Sequence, residues 1–165
     1  MNPENISYSS QVLAAVQTLP TDFRQNEDYE NLRQKLVSRE ATIGVIGLGY
    51  VGLPLAVAFA EAEYPVIGFD VSSQKVETLL KGISYIQDVP TADVEKHIKA
   101  KKLNAYAEFT RLKDCDVVVI CVPTPLSKTK DPDMSYIISA VAKIEQFLRR
   151  GQLIVLESTT YPGTT

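Results

Sequence analysis

Thr42-Ile-Gly-Val-Ile-Gly-Leu-Gly-Tyr-Val-Gly-Leu-Pro-Leu-Ala-Val-Ala-Phe-Ala60 decides the fold of this chain. Ile43 to Ile46 is apolar and β-branched around one glycine, the profile of a strand buried on both faces. Leu53 to Ala62 reads as an apolar, alanine-rich helix. Between them Gly47, Gly49 and Gly52 form G-x-G-x-x-G, and each glycine answers a separate requirement. Gly47 makes the tight turn out of the strand, Gly49 lets a pyrophosphate approach the backbone with no Cβ in the way, and Gly52 lets the helix lie close to the sheet. The helix start, with Tyr50 and Val51 in its approach, presents unpaired N–H groups and a positive dipole end to the phosphates.

Glycine-rich turns are common, so the motif needs its downstream partner. Pro65-Val-Ile-Gly-Phe-Asp70 reads as a second buried strand ending in an acid. Asp70 lies 23 residues after Gly47 and 18 after Gly52. A dinucleotide fold places there the carboxylate that holds the adenosine ribose hydroxyls. The competing reading is a structural turn with an N-capping aspartate before Ser72. Strand, glycine turn, helix, strand and acid in this order point to a dinucleotide site.

The rest of the composition narrows the class. At 165 residues with 45% hydrophobic content, the chain has the length of one domain and enough apolar residues for a substantial core. A net charge of −3 argues against nucleic acid or an anionic membrane as partner. No apolar run reaches the ~18 residues of a membrane span, and the polar, acidic start Met1-Asn-Pro-Glu-Asn does not read as a signal peptide. Two cysteines, Cys115 and Cys121, make neither a disulfide framework nor a zinc site, and no metal site is expected. The expected compartment is a reducing cytoplasm.

Taken in order, residues 1–40 read as a helical extension without a legible site, with a short helix at Gln11–Gln17 and a charged one over Asn31–Arg39. Ser72 to Lys81 has helical spacing, with Ser72 or Ser73 as cap and Gly82 at its end. Lys75, on its first turn, is close enough to Asp70 to reach the same ribose; a solvated lysine is the equal alternative. Gly82 to Asp88 reads as a loop and Thr91 to Lys102 as a charged surface helix. His97, the only histidine, is expected to be exposed there among lysines and to be a poor general base. Lys99, Lys101 and Lys102 are expected to form a solvated face. Leu103 to Phe109 is a weak strand. Asp116-Val-Val-Val-Ile-Cys-Val122 is a strong one, and it stops at Pro123-Thr-Pro125. Pro123 and Thr124 therefore leave the carboxyl edge of the sheet, where open α/β sheets bind ligands. Thr124 is placed to hydrogen-bond the pyrophosphate or the nicotinamide ribose, against the plainer reading of a proline-rich turn. Cys121 reads as a buried strand residue. Cys115 has Asp114 and Asp116 on either side, which raises a thiol pKa, so neither cysteine is a good nucleophile. Met134 to Arg150 is an amphipathic helix (Ile137, Ile138, Val141, Ile144, Phe147, Leu148), and Gln152 to Glu157 a fifth strand. The whole is a Rossmann-like, doubly wound parallel sheet with helices on both faces, over residues 41–165.

Five pieces in order carry a resemblance: Gly47-Leu-Gly-Tyr-Val-Gly-Leu-Pro, Gly68-Phe-Asp70 with Lys75, Gly82-Ile-Ser-Tyr-Ile, Cys121-Val-Pro-Thr-Pro125 and Glu157-Ser-Thr-Thr-Tyr-Pro-Gly-Thr164. Through them the chain resembles the amino-terminal NAD-binding domain of the UDP-glucose/GDP-mannose dehydrogenase family. The Val-Pro-Thr-Pro-Leu and Pro-Asp-Met-Ser segments look most like the branch acting on UDP-N-acetylhexosamines. The resemblance implies oxidation of the C6 hydroxymethyl of a nucleotide-sugar to a carboxylate with two NAD+, through a cysteine thiohemiacetal and thioester. It implies adenosine ribose binding by Asp70 and Lys75, pyrophosphate binding by Gly49 to Gly52, nicotinamide-side binding by Thr124, and orientation of the catalytic water by Thr159. Asp70 favours NAD over NADP, since a 2′-phosphate would meet a carboxylate with no arginine nearby.

Two departures shape the expectation. The family's nucleophilic cysteine and most of its sugar-nucleotide site fall beyond Thr165, so residues 1–165 alone are expected to be catalytically incomplete, with a homo-oligomer expected only of the full-length enzyme. Glu63 stands where the family has glycine; in a left-handed backbone it costs on the order of 1 kcal/mol. The alternatives are a non-catalytic NAD-binding module and the cofactor domain of a 3-hydroxyacid-type dehydrogenase; Ser158-Thr159 after the fifth strand favours the nucleotide-sugar reading over the latter.

Overall fold

The computed structural model describes residues 26–125 and 133–158. The helix expected at Gln11–Gln17 lies outside the described residues. Five short strands, β1 (Ile43–Ile46), β2 (Val66–Phe69), β3 (Leu103–Tyr106), β4 (Val117–Ile120) and β5 (Leu153–Leu156), pair in parallel in the order β3-β2-β1-β4-β5. The order reverses between β1 and β4, whose ends align as Ile46↔Ile120. That reversal opens a crevice at the carboxyl edge.

β1, β2 and β4 are buried along their whole length, as continuous apolar runs in a parallel sheet require. One face is covered by α1 (Glu27–Ser38), α2 (Gly52–Glu61), α3 (Ser73–Leu80) and α4 (Thr91–Lys99), around Leu53, Ala56, Val76, Leu79 and Val94. The other carries α5 (Ser135–Phe147) and a 3-10 turn at Thr110–Asp114, around Phe69, Leu112, Ala140 and Ile144. Among the described residues every expected strand and helix is present; the strands β3, β4 and β5 and the helices α3, α4 and α5 are shorter than expected, whereas α1 begins at Glu27, four residues before the expected Asn31. The 3-10 turn had no sequence counterpart.

Three expectations are answered here. His97 is not exposed: it is 2% accessible, and its Nε2 sits 2.8 Å from Glu61 Oε2, tying α4 to α2. It shares the inner stripe of α4 with Val94, three residues earlier. Of the apolar residues counted on α5, Ile137 and Ile144 are buried, but Ile138, Val141 and Leu148 are exposed. Glu63 does adopt the left-handed conformation, at φ 70°.

Candidate functional site

β1 ends at the turn the glycines shape. Gly47 N donates to Phe69 O at 2.7 Å. Its φ is 90°, and a Cβ there would stand 2.7 Å from Cys121 O on the neighbouring β4 end. A Cβ on Gly52 would fall 1.8 Å from Gly47 O and 3.2 Å from Cys121 Cβ, so the helix start packs directly against the turn and β4. Gly49 differs from both: a Cβ there would meet nothing within 4 Å. Packing demands the outer two glycines, whereas the space over the middle one is open. No side chain caps the start of α2, and its first turn begins with Leu53 N donating to Gly49 O at 3.1 Å. The amides ahead of Leu53 are the ones a helix start leaves for an outside acceptor.

Asp70 follows β2 and is 6% accessible. Its Oδ2 accepts from Leu48 N at 2.9 Å and from Lys75 Nζ at 3.2 Å, and its Oδ1 accepts from Ser72 N at 2.9 Å. The carboxylate therefore fastens the glycine turn as well as standing at the crevice. The cap of α3 is Ser72, whose Oγ accepts from Lys75 N at 3.4 Å, so the N-capping role does not fall to Asp70. Three of about four acceptor positions on the carboxylate are thus filled by protein donors, two on Oδ2 and one on Oδ1.

Above the reversal point lie two adjoining cavities that share Gly47, Asp70, Lys75, Val122 and Pro123. The larger, about 420 Å³, is walled by Gly49, Tyr50, Val51, Thr124, Glu157 and Ser158. The smaller, about 240 Å³, is an apolar slot between Phe69, Val71 and Phe109 on one side and Tyr136, Ala140 and Lys143 on the other. Phe69 and Phe109 stack there at 5.7 Å. Gly47, Gly49, Tyr50, Val51, Asp70, Lys75, Pro123 and Thr124 thus meet in one groove, while Gly52 lies beneath its floor. Tyr50 and Val51 are exposed on its lip. Thr159 lies outside the described residues.

Sequence reasoning missed the side chains that hold these walls. Ser158 Oγ donates to Val122 O at 2.8 Å, tying the end of β5 to the segment that leads into Pro123 and Thr124. Tyr85 Oη donates to Leu48 O at 2.9 Å. Both sit inside quoted motifs, but their partners are distant backbone carbonyls that no spacing announces. Burial pushes the Cys121 thiol up to about 11, helped by the Glu157 charge. Burial, with Asp114 and Asp116 adding to it, pushes Cys115 up to about 12. Neither cysteine offers a thiolate near neutral pH.

Sheet order, glycine turn, acid and groove together define a dinucleotide-binding domain. Residues 41–165 match the model of the UDP-glucose/GDP-mannose dehydrogenase family, NAD binding domain. The chain belongs to that family, and this part of it is the NAD-binding domain. It is 40% identical over 127 residues to a UDP-N-acetyl-D-glucosamine 6-dehydrogenase of Salmonella typhi, covering 76% of this chain and 29% of that protein. Against a UDP-N-acetyl-D-mannosamine dehydrogenase of Pyrococcus horikoshii the identity is 39% over 125 residues, 74% of this chain and 29% of the relative. The solved UDP-D-ManNAc dehydrogenase from Pyrococcus horikoshii superposes with a TM-score of 0.71 at 38% identity, over 75% of this chain and 30% of that one. The chain therefore spans about 29% of the length of these curated relatives. Among the described residues no helix is long and apolar enough to cross a membrane, and no cluster of three or more His, Cys, Asp or Glu could hold a metal ion.

Proposed function

We propose that the groove holds NAD+ extended across the reversal point, as the cofactor half of a dehydrogenase that oxidises the C6 hydroxymethyl of a UDP-sugar to a carboxylate. Bound NAD+ supplies the hydride acceptor for both oxidations. Gly49, Tyr50, Val51 and Gly52 offer backbone amides to the pyrophosphate. Asp70 and Lys75 hold the adenosine ribose, with the adenine in the slot beside Phe109. Pro123 and Thr124 form the wall beside the nicotinamide ribose, and Thr159 orients the water that releases the product. The UDP-N-acetylhexosamine branch is favoured because the relatives named above act on such sugars. With both cysteines here buried and their thiols raised, the nucleophilic cysteine belongs to sequence outside residues 1–165. The compartment we infer is cytoplasmic, where NAD and nucleotide-sugars meet.

The observation that carries this reading is the open space over Gly49, flanked by two glycines that packing closes. The test is calorimetric titration of NAD+ into residues 1–165. Gly49→Ala should keep the melting temperature within about 2 °C, since its Cβ meets nothing. It should nevertheless weaken NAD+ binding by about tenfold or more, because the methyl fills the space a phosphate needs. Equal NAD+ affinity in the two proteins would overturn the placement. NADP+ should bind more weakly than NAD+, its 2′-phosphate meeting Asp70.

A further inference from the structure

The loop between α3 and α4 carries none of the residues assigned to NAD+ above, yet its backbone is closely fixed. Ile86 and Val89 are buried in the main core. Gly82, at φ 77°, brings the backbone so close to α4 that a Cβ would stand 3.1 Å from Glu95 Cα. Ser84 Oγ donates to Ile86 O at 3.0 Å and accepts from Ile86 N at 3.2 Å, which fixes the backbone on both sides of Tyr85. So held, the Tyr85 ring packs on the core and its hydroxyl reaches Leu48 O, 37 residues away in sequence.

We propose that Tyr85 is a positioning residue for phosphate binding, fixing the orientation of the Leu48–Gly49 peptide so that the Gly49 amide is preset for an anion. This deepens the NAD+ reading above and rests on it. The physical step is peptide planarity: in a trans peptide the C=O and N–H point in opposite directions. Drawing Leu48 O toward Tyr85 therefore directs the Gly49 N–H the other way. The preceding peptide is fixed as well, since Leu48 N donates to Asp70 Oδ2 at 2.9 Å, and the Leu48 side chain packs over Gly68. Leu48 is thus clamped at its amide, its carbonyl and its side chain, from two segments: the end of β2 and the loop after α3. An amide preset in this way needs no reordering when a phosphate arrives, which is where affinity is otherwise lost. Burial and the Asp70 charge both hold the Tyr85 phenol protonated well above its ordinary range, so the donor persists at any physiological pH.

The test is Tyr85→Phe in the whole chain, titrated with NAD+, ADP and adenosine, the last by NMR. Loss of one preorganising hydrogen bond should weaken NAD+ and ADP by about fivefold to tenfold while leaving adenosine unchanged. In the ligand-free chain, the Leu48 and Gly49 amide resonances should shift while those of β4 and β5 stay in place. A proportional loss for adenosine would mean a general collapse of the site and would overturn the proposal. So would unchanged ADP affinity, or unmoved Gly49 resonances. Failure of the unsubstituted chain to bind NAD+ would instead sink the reading of the groove, and this one with it.

Discussion

Glu63 occupies a backbone conformation that a side chain resists, at φ 70° just past the end of α2. Its Cβ crowds the following carbonyl, a cost on the order of 1 kcal/mol that glycine does not incur. Its compensation is slight: the carboxylate lies 3.4 Å from Lys102 Nζ, but both side chains are solvated, and such pairs contribute little. The hydrogen bond from Lys102 Nζ to Glu63 O, at 3.1 Å, uses the backbone and survives substitution. Glu63→Gly should therefore raise the melting temperature by roughly 2–4 °C. Glu63→Ala, which loses the same ion pair but keeps the strained φ, should not. Thermal melts of both variants decide the matter, and a rise in the alanine variant equal to that in the glycine variant would refute the strain argument. This position was legible only through the family resemblance, which has glycine where the chain has Glu63; a glutamate by itself announces no backbone requirement. Gly47, with its left-handed φ, and Gly52, with no room for a Cβ, were legible because a single residue type answers a single requirement, whereas nothing in the packing around Gly49 demands a glycine. Asp70 was only half legible: its spacing announced an acid at the crevice, while its bonds to Leu48 N and Ser72 N are tertiary.

At the scale of elements, periodicity shows which stripes are apolar but not which stripe meets the sheet. α5 has two: Ile137 and Ile144 point inward, while Ile138 and Val141 form a neighbouring stripe that is exposed, Ile138 by 66%, and Leu148 is exposed just past the helix end. Counting all of them as one face joined a buried row to a bare one. His97 was misread for the converse reason, a polar residue on an inner stripe whose partner Glu61 belongs to another helix. β1, β2 and β4 escaped this ambiguity because strands apolar on both sides have no outer face to mistake. The two stripes of α5 predict different energetics. Ile137→Ala should destabilise by about 2–5 kcal/mol, as core truncations do. Ile138→Lys should stay within about 0.5 kcal/mol. Urea unfolding of the two variants checks this, and comparable losses would mean that the outer stripe is covered in solution.

Asp116 shows what only the whole molecule displays. It stands before β4, away from the groove, and three remote segments converge on it. Lys35 Nζ of α1 and Arg149 Nη2, from the turn after α5, reach its Oδ1 at 2.9 and 2.8 Å, and Thr42 N, at the entrance to β1, donates to its Oδ2 at 3.0 Å. Arg150 pairs with Asp28, and Tyr64 Oη donates to Leu36 O at 2.8 Å, so α1 is docked on the domain. The sequence showed only a charged helix there, because docking depends on partners 25 to more than 100 residues away. Burial pushes the Asp116 carboxyl up, but the hydrogen bonds from Lys35, Thr42 and Arg149 outweigh it and hold the pKa below the ordinary carboxylate value. A carboxylate depressed in the folded state stabilises the fold above its unfolded-state pKa, and that contribution disappears as pH falls through the folded-state value. Asp116→Asn keeps the shape but leaves Lys35 and Arg149, both part-exposed, without their anion, and should cost about 1–2 kcal/mol near neutrality. Urea unfolding of both proteins between about pH 6 and about pH 3 should show that gap narrowing below about pH 4, where the natural chain itself begins to protonate. The substitution should release α1 first, read near neutral pH as earlier proteolytic cleavage near Lys35 in Asp116→Asn than in the natural chain, a difference that should close on acidification. A gap that stays constant across the range would mean that the carboxylate's charge contributes nothing, and that the three segments are held by shape alone.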